Sequence, residues 1–349
     1  MSLPLISKQG YAQAKSLACQ YNLLSIFDVK SFVSIFLKRF FKLHVFILLN
    51  VIINTQSFGA NIYGRLDFSL NEINKFSLGS ETKAVSNSSR LGLKGKHIFE
   101  NGFSAIYQYE TQIDPIDRSP NFKDRNSYIG LKGYFGKFII GIHDTPVKQS
   151  QATVDLFNDT AGDIKNILWG ENRSKKAAQW NSPKVKGLTL STMLILEQGG
   201  EEAFSTNLMW QGKLLGNKAH FSIGFDSEVP QKGLIFDTTR IAATIPIGKP
   251  LILGLIWQES KDTLGNFNDD GYVISLKTLL SKKLAFKLMY GKSDMVQAGG
   301  ELTAIGFDYK VAKPLKLYLN YIDKSYEDSS KESEHIMIGL QYNFSLEIF

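Results

Sequence analysis

Leu315-Lys316-Leu317-Tyr318-Leu319-Asn320-Tyr321 places an apolar residue at every second position and a polar or amphipathic one between. Side chains of a β-strand point alternately to its two faces, so a period of two gives one apolar stripe and one polar stripe. Phe103, Ala105, Tyr107 and Tyr109 stand in the same way against Ser104, Gln108 and Glu110. Ile305, Phe307, Tyr309 and Val311 oppose Ala304, Asp308 and Lys310, and Leu284, Phe286, Leu288 and Tyr290 oppose Lys287 and Gly291. In a soluble sandwich the apolar stripe would cover a core. Here the polar stripes are rich in Lys, Asp and Gln, which suits strands with lipid on one side and water on the other.

Working outward, the pattern predicts sixteen strands: 61–70, 88–97, 101–112, 125–133, 137–146, 175–183, 187–196, 203–213, 217–227, 234–245, 249–259, 270–279, 283–293, 300–311, 314–323 and 334–344. Their connections alternate. Short ones fall at 98–100, 134–136, 214–216, 246–248, 280–282 and 312–313, with 183–186 close behind. Longer ones fall at 71–87, 113–124, 147–174, 260–269 and 324–333, with smaller members at 197–202, 228–233 and 294–299. Short turns at one end and long loops at the other are the plan of an all-β, sixteen-stranded antiparallel transmembrane β-barrel. Sixteen strands enclose an aqueous channel rather than a core of side chains. The only helical expectation is a short one near Ala152–Phe157.

Composition agrees. The 349 residues include 24 Phe, 14 Tyr and 29 Gly but 9 Pro. No apolar run of helix-spanning length lies beyond position 60, which argues against a helical membrane bundle. The net charge of +7 misleads, because residues 1–59 hold six basic residues against Asp28. The rest carries 34 basic and 32 acidic residues, so a nucleic-acid partner is not expected. Cys19 is the one cysteine, so no disulfide or cysteine-bound metal is expected in the mature chain.

Lys38, Arg39 and Lys42 precede Leu43–Ile53, LHVFILLNVII, and small residues follow. A basic start, an apolar middle and small residues at the cut are the marks of a secretory signal, assigned to 37–59. Cleavage falls after Gly59 or after Ala60. A membrane anchor is the alternative, but the run is short and Asn50 interrupts it. Residues 1–36 form a leader extension foreign to such a signal, which places the true start downstream, for example at Val33 or Leu37. The barrel is then 60–349.

Three stretches resemble the general Gram-negative outer-membrane porins: NIYGRLDFSL from Asn61, SSRLGLKGKHIFENGFSAIYQYET from Ser88, and RNSYIGLKGYFGKFIIGIHDTP from Arg125. The last stretch, HIMIGLQYNF (His335–Phe344), resembles the terminal strand that the barrel-assembly machinery reads. Tyr342 and Phe344 would carry that signal, or Phe349 beyond the extra tail Ser345–Phe349. The resemblance implies a passive, weakly selective porin of the cell outer membrane, among lipid and lipopolysaccharide; the alternatives are a substrate-specific channel and a non-conducting outer-membrane binding or adhesion barrel. It implies a homotrimer through which small hydrophilic solutes and ions diffuse. It also implies that the third external loop, 147–174, folds inward to narrow the pore.

Such a pore needs charge, not catalysis. The loop offers Asp155, Asp159 and Asp163 at a spacing of four, which would align them on one side of a helix or compact loop. The facing wall should be basic. Arg90 opposes Leu91 and Leu93 by parity and so faces the lumen, with Lys94 and Lys96 on the same face. A charge on the lipid side would cost about 2–4 kcal/mol at the midplane. Lys123 and Arg125 complete the expected wall. Arg125 faces inward if Tyr128 faces lipid, and outward if Ile129 and Leu131 do. Arg173 and Lys175 are candidates for a further basic position. Trp180, Trp210 and Trp257 read as interfacial aromatics.

No enzyme is expected. Asp67, Glu110 and Asp144 are scattered, the five His (44, 97, 143, 220 and 335) have no metal-ligand spacing, and no G-x-S-x-G occurs. No cofactor or metal is assigned. Asp269 and Asp270 read as a solvated loop rather than a calcium site.

Overall fold

A computed structural model describes residues 55–349 except 77–78, 117–121, 197–201, 232, 249, 264, 266, 297–298 and 349. The leader extension, residues 37–54 of the signal segment and Phe349 lie outside the described residues. The strands are β1 (Thr55–Lys75), β2 (Gly79–Ser86), β3 (Arg90–Phe99), β4 (Ser104–Gln112), β5 (Lys123–Asp124), β6 (Ser127–Gly133), β7 (Gly136–Asp144), β8 (Arg173–Asn181) and β9 (Leu188–Leu196). There follow β10 (Glu202–Leu214), β11 (Asn217–Gln231), β12 (Leu234–Pro246), β13 (Ile252–Asp262), β14 (Asn268–Leu279), β15 (Leu284–Ser293), β16 (Gly300–Lys310), β17 (Leu315–Tyr326) and β18 (Ser333–Glu347).

These make sixteen staves. β2 and β3 pair successively with the two halves of β1, and β5 and β6 with the two ends of β4. Each stave is antiparallel to the next, and β18 returns to β1 from Lys75↔Ser333 to Asn61↔Glu347. The sheet is therefore a closed barrel with no crossover. Across the seam the Ser345 hydroxyl donates to Asn61 Oδ1 at 2.8 Å, between residues 284 apart in sequence.

The predicted alternation is observed on the outer face. Ile129, Ile338 and Leu319 are 66%, 64% and 46% exposed, and Leu70, Ile241, Ile274 and Leu317 are exposed with them. Isolated exposed apolar residues are ordinary, but a continuous belt on every side requires an apolar solvent. Trp257 and Tyr272 extend the exposed stripe, and Tyr342 stacks beside Phe344 at 6.3 Å. The Phe344 ring occupies the place where a Cβ on Gly64 would stand, so glycine is needed there for the seam to pack. Turns at one end are tight. Leu215 and Gly216 both have positive φ, 49° and 75°, as a type I′ two-residue hairpin requires.

The structure departs from expectation in three places. Much of the expected loop 71–87 is strand, with Phe68–Lys75 paired to Ser86–Gly79. Its residues, such as Glu72, Asn74, Glu81 and Lys83, are polar on both faces, so the ladder extends without any apolar stripe to signal it. The expected helix near Ala152–Phe157 is absent, and α1 is Pro146–Ser150 instead. Pro146 enters the first turn, where its missing N–H costs nothing, and the Thr145 hydroxyl accepts from Lys148 N–H at 3.2 Å. The inner face is also not polar throughout. Phe236, Ile256, Val273, Met289, Leu302, Ile322 and Met337 form a buried apolar cluster with Val154, Phe157, Ile164, Ile167 and Leu168.

Ile338→Lys should lower the urea midpoint of the barrel in lipid vesicles, by about 2–4 kcal/mol of stability if the site is near the bilayer midplane. An unchanged midpoint would mean that this stripe does not meet hydrocarbon.

Candidate functional site

Residues 145–172, between β7 and β8, hold side chains that meet strand residues on the face opposite the exposed apolar belt. The attachment begins at α1. Val147 N–H donates to Ser205 Oγ on β10 at 3.2 Å, and Ser222 Oγ on β11 donates to the Ser150 carbonyl at 2.7 Å. Glycines let the segment approach closely. A Cβ on Gly224 would stand 3.2 Å from Val147, on Gly254 3.1 Å from Val154, and on Gly271 and Gly306 2.9 Å from Leu168 and Phe157. Gly291 stands likewise under Ile167. One glycine on each of β11, β13, β14, β15 and β16 thus makes a shallow seat for the segment's apolar side chains.

Arg240 on β12 is the polar anchor of that seat, and it is fully buried. Its Nη1 donates to Glu171 Oε1 at 2.6 Å and its Nη2 to the Trp169 carbonyl at 2.9 Å. Its Nε donates to Gln258 Oε1 at 2.6 Å, and Gln258 Nε2 donates to the same Trp169 carbonyl. Burial pushes the Glu171 carboxyl above its usual range, and the Arg240 guanidinium opposes that shift. Nearby, Lys287 on β15 donates to the Leu156 carbonyl at 3.2 Å and lies 4.5 Å above the Phe157 ring.

The other side of the segment meets the opposite wall. Asp159 Oδ2 accepts from Arg90 Nη2 at 2.5 Å and Arg65 Nη1 at 3.2 Å. Burial alone would raise the Asp159 carboxyl, but Arg90, Arg125 and Arg65 together hold it below the ordinary range. Arg125 is buried and donates to Glu110 Oε1 at 2.6 Å, and Tyr63 donates to the other oxygen of that carboxylate at 2.9 Å. Arg173 reaches Asp144 at 3.0 Å, which also takes Lys148 at 3.3 Å. Between segment and wall lies a cavity of about 310 Å³, lined by Arg90, Arg125, Arg173, Lys148, Asp144 and Asp159 among others.

The expected acidic trio therefore divides. Asp159 meets the basic wall, whereas Asp155 and Asp163 build the segment itself. Asp155 accepts the Phe157 and Ile164 N–H groups at 2.9 and 3.2 Å, and burial, then Asp163, push its carboxyl well above the usual range. Asp163 caps a short 3₁₀ turn at Lys165 N–H, 2.9 Å, and accepts Asp159 N–H at 3.0 Å. The segment is not helical here, so a spacing of four does not align the three acids.

The expected basic wall divides too. Arg90 and Arg125 join the site, Arg125 in spite of the outward Ile129, because the register against β4 shifts by one residue between Thr111↔Asp124 and Gln108↔Tyr128 and parity changes there. Lys94 lies over the Tyr63 ring at 4.8 Å, Lys96 is exposed near the β3–β4 turn, and Lys123 is exposed on β5. Lys175 pairs with Asp124 at 3.0 Å, away from the segment. Tyr342 and Phe344 are on the outer face of the seam strand. Arg65 and Arg240 were not anticipated, although parity marks both, since each precedes an outward Leu66 or Ile241. Nothing in the local pattern marks Glu171.

Arg240→Met should destabilise the barrel by about 3–5 kcal/mol in urea unfolding, because it strands Glu171 as a buried charge. Adding Glu171→Gln should recover part of that loss. Equal midpoints for the single and double variants would show that the pair is not coupled.

The model of the Gram-negative porin family matches residues 51–345. The major outer membrane protein P.IB of Neisseria gonorrhoeae is 20% identical over 298 residues, 82% of each chain. A second match to a P.IB of that organism is 24% identical over 135 residues and covers 38% of each chain. Among solved structures, the anion-selective porin from Comamonas acidovorans superposes with a TM-score of 0.71 at 18% identity, over 82% of this chain and 100% of that one. The trimer form of in-vitro folded OmpT of Vibrio cholerae gives 0.63 at 15% identity, over 83% and 100%.

Proposed function

The chain belongs to the Gram-negative porin family, and from that premise we propose how its barrel sorts what it passes. It is an outer-membrane porin, a multi-pass barrel through which small hydrophilic solutes and ions diffuse. Its work is conduction, and we assign no catalytic residue. Residues 145–172 cross the lumen as a constriction. The observation that carries this reading is the attachment of one segment to two walls, through Arg240 on one and through Arg65 and Arg90 on the other. The cavity between segment and wall, lined by Arg125, Arg173, Lys148 and Asp144, is where the passage would run. A desolvated wall carrying fixed charge biases ions far more than the same charges would in bulk water.

The assembly is a homotrimer in lipid and lipopolysaccharide, by analogy with the trimer form of the Vibrio OmpT. The barrel-assembly machinery reads β18, whose Tyr342 and Phe344 share the outer face. The mature chain starts at Ala60 or Asn61, after removal of the signal in 37–59 and the extension 1–36. In support, seam pairing runs to Asn61↔Glu347, and the last seam contact is Ile348 N–H to the Ala60 carbonyl at 2.9 Å; on its other edge β1 pairs with β3 back to Thr55↔Phe99, so cleavage there removes the paired residues 55–59.

Two measurements test these statements. In planar bilayers with a salt gradient, Asp159→Asn should move the reversal potential toward anions and Arg90→Ser toward cations. Both potentials staying at the wild-type value would remove the constriction from this segment. Sequencing the mature N-terminus should read from residue 60 or 61, and a start before residue 50 would exclude the assigned signal.

A further inference from the structure

The short-turn end of the barrel carries charge that the constriction, Lys287 apart, does not use. Four hairpins place two lysines directly across the ladder from each other: Lys132↔Lys137, Lys213↔Lys218, Lys277↔Lys287 and Lys310↔Lys316. Each lysine has the parity opposite to the outer belt, whose markers on these strands are Ile129, Ile140, Leu208, Phe221, Ile274, Leu288, Phe307 and Leu317. Ring contacts agree with that placement. Lys137 lies 5.8 Å from the Tyr128 ring and Lys316 5.4 Å from the Tyr318 ring, both on the inner face. Lys94 and Lys96 add two more charges of the same parity on β3.

Like charges directly opposite on a ladder destabilise it. Here the arrangement recurs in four hairpins. One carboxylate relieves it: Asp308 takes Lys287 at 2.9 Å and Lys316 at 3.5 Å. Lys132, Lys137, Lys213 and Lys218 have no carboxylate partner among the described residues, and Lys132, Lys213 and Lys218 are exposed. Turn lysines Lys184, Lys186, Lys282, Lys283 and Lys313 lie at the same end. In the hairpins of Lys132 and Lys137 and of Lys213 and Lys218 the repulsion meets no carboxylate among the described residues, which leaves a mobile anion as the group that offsets it. A concave mouth with an excess of one sign of charge concentrates ions of the other sign.

We infer that the short-turn mouth is a second charge filter, a lysine ring that gathers small anions carrying more than one negative charge. Two lysines facing each other suit a divalent oxyanion better than chloride, because one ligand then neutralises both. The inference rests on the pore reading and adds to it, in the hairpins of Lys132, Lys137, Lys213 and Lys218, a site of selectivity distinct from Asp159 and the arginines.

The test uses the complete barrel in planar bilayers, with Lys132→Gln, Lys137→Gln, Lys213→Gln and Lys218→Gln combined. The wild type should prefer anions in a potassium chloride gradient, and the variant's anion-to-cation permeability ratio should fall about threefold or more with conductance retained. Inorganic pyrophosphate added at the short-turn side should reduce the wild-type current and leave the variant's unchanged. The variant's thermal unfolding midpoint should be equal or higher, since a repulsion has been removed; a lower one would make the lysines structural. A conducting variant with wild-type selectivity overturns the ring, as does a wild type that prefers cations. Pyrophosphate without effect on the wild type overturns the multivalent assignment. A wild type that inserts but passes no current overturns the pore reading itself, and the ring with it.

Discussion

Hydrocarbon offers backbone N–H and C=O groups no partner, and everything else in this barrel follows from that. A sheet with a free edge would leave a row of unpaired groups in lipid, so the first strand must find the last. The β1–β18 seam meets that demand over fifteen paired positions, from Lys75↔Ser333 to Asn61↔Glu347. Once the sheet closes, one face of every strand must be apolar, and a period of two becomes obligatory. The other face is released from that demand, and its chemistry is open to function.

The inner wall uses this freedom unevenly. One arc, from β11 to β16, is made small and apolar by glycines and fitted to Val147, Val154, Phe157, Ile167 and Leu168. The opposite arc holds Arg65, Arg90, Arg125 and Arg173. The segment between them behaves like a miniature core on one side and a polar wall on the other. Buried carboxylates hold its shape. Asp155 and Asp163 bind backbone N–H groups that no helix or sheet satisfies, which is the cost of running irregular backbone through an enclosed space. Asp159 is the acid left to face the arginines.

What the sequence revealed depended on which rule governs each residue. Strand parity is local, so Arg90, the outer belt and the sixteen staves could be read from alternation. Parity also marks Arg65 and Arg240, but their roles required knowing what lies across the lumen. The role of the acids could not be read from spacing, because residues 151–163 follow no regular period. Their hydrogen bonds join groups at separations such as Asp155 to Ile164, set by turns rather than by a helix. The extension of β1 and β2 beyond the lipid was hidden for the opposite reason: with water on both faces, no stripe is needed and none is written. The apolar arc of the inner wall broke the simple expectation of a wet interior, since Val273 or Leu302 reads in sequence as a break in the pattern.

The seam has a temporal meaning as well. Its partners, such as Asn61 and Ser345, are separated by 284 residues, nearly the whole span of the barrel. The entropy lost on joining such distant ends grows only slowly with length, so separation alone is a modest obstacle. Order of synthesis matters more: the stave that shuts the cylinder is the last to leave the ribosome. Until it arrives, every earlier strand belongs to an open ribbon with two adhesive borders. This fold is therefore completed in one late event rather than grown by stable instalments, and its precursor must be shielded throughout its passage to the membrane.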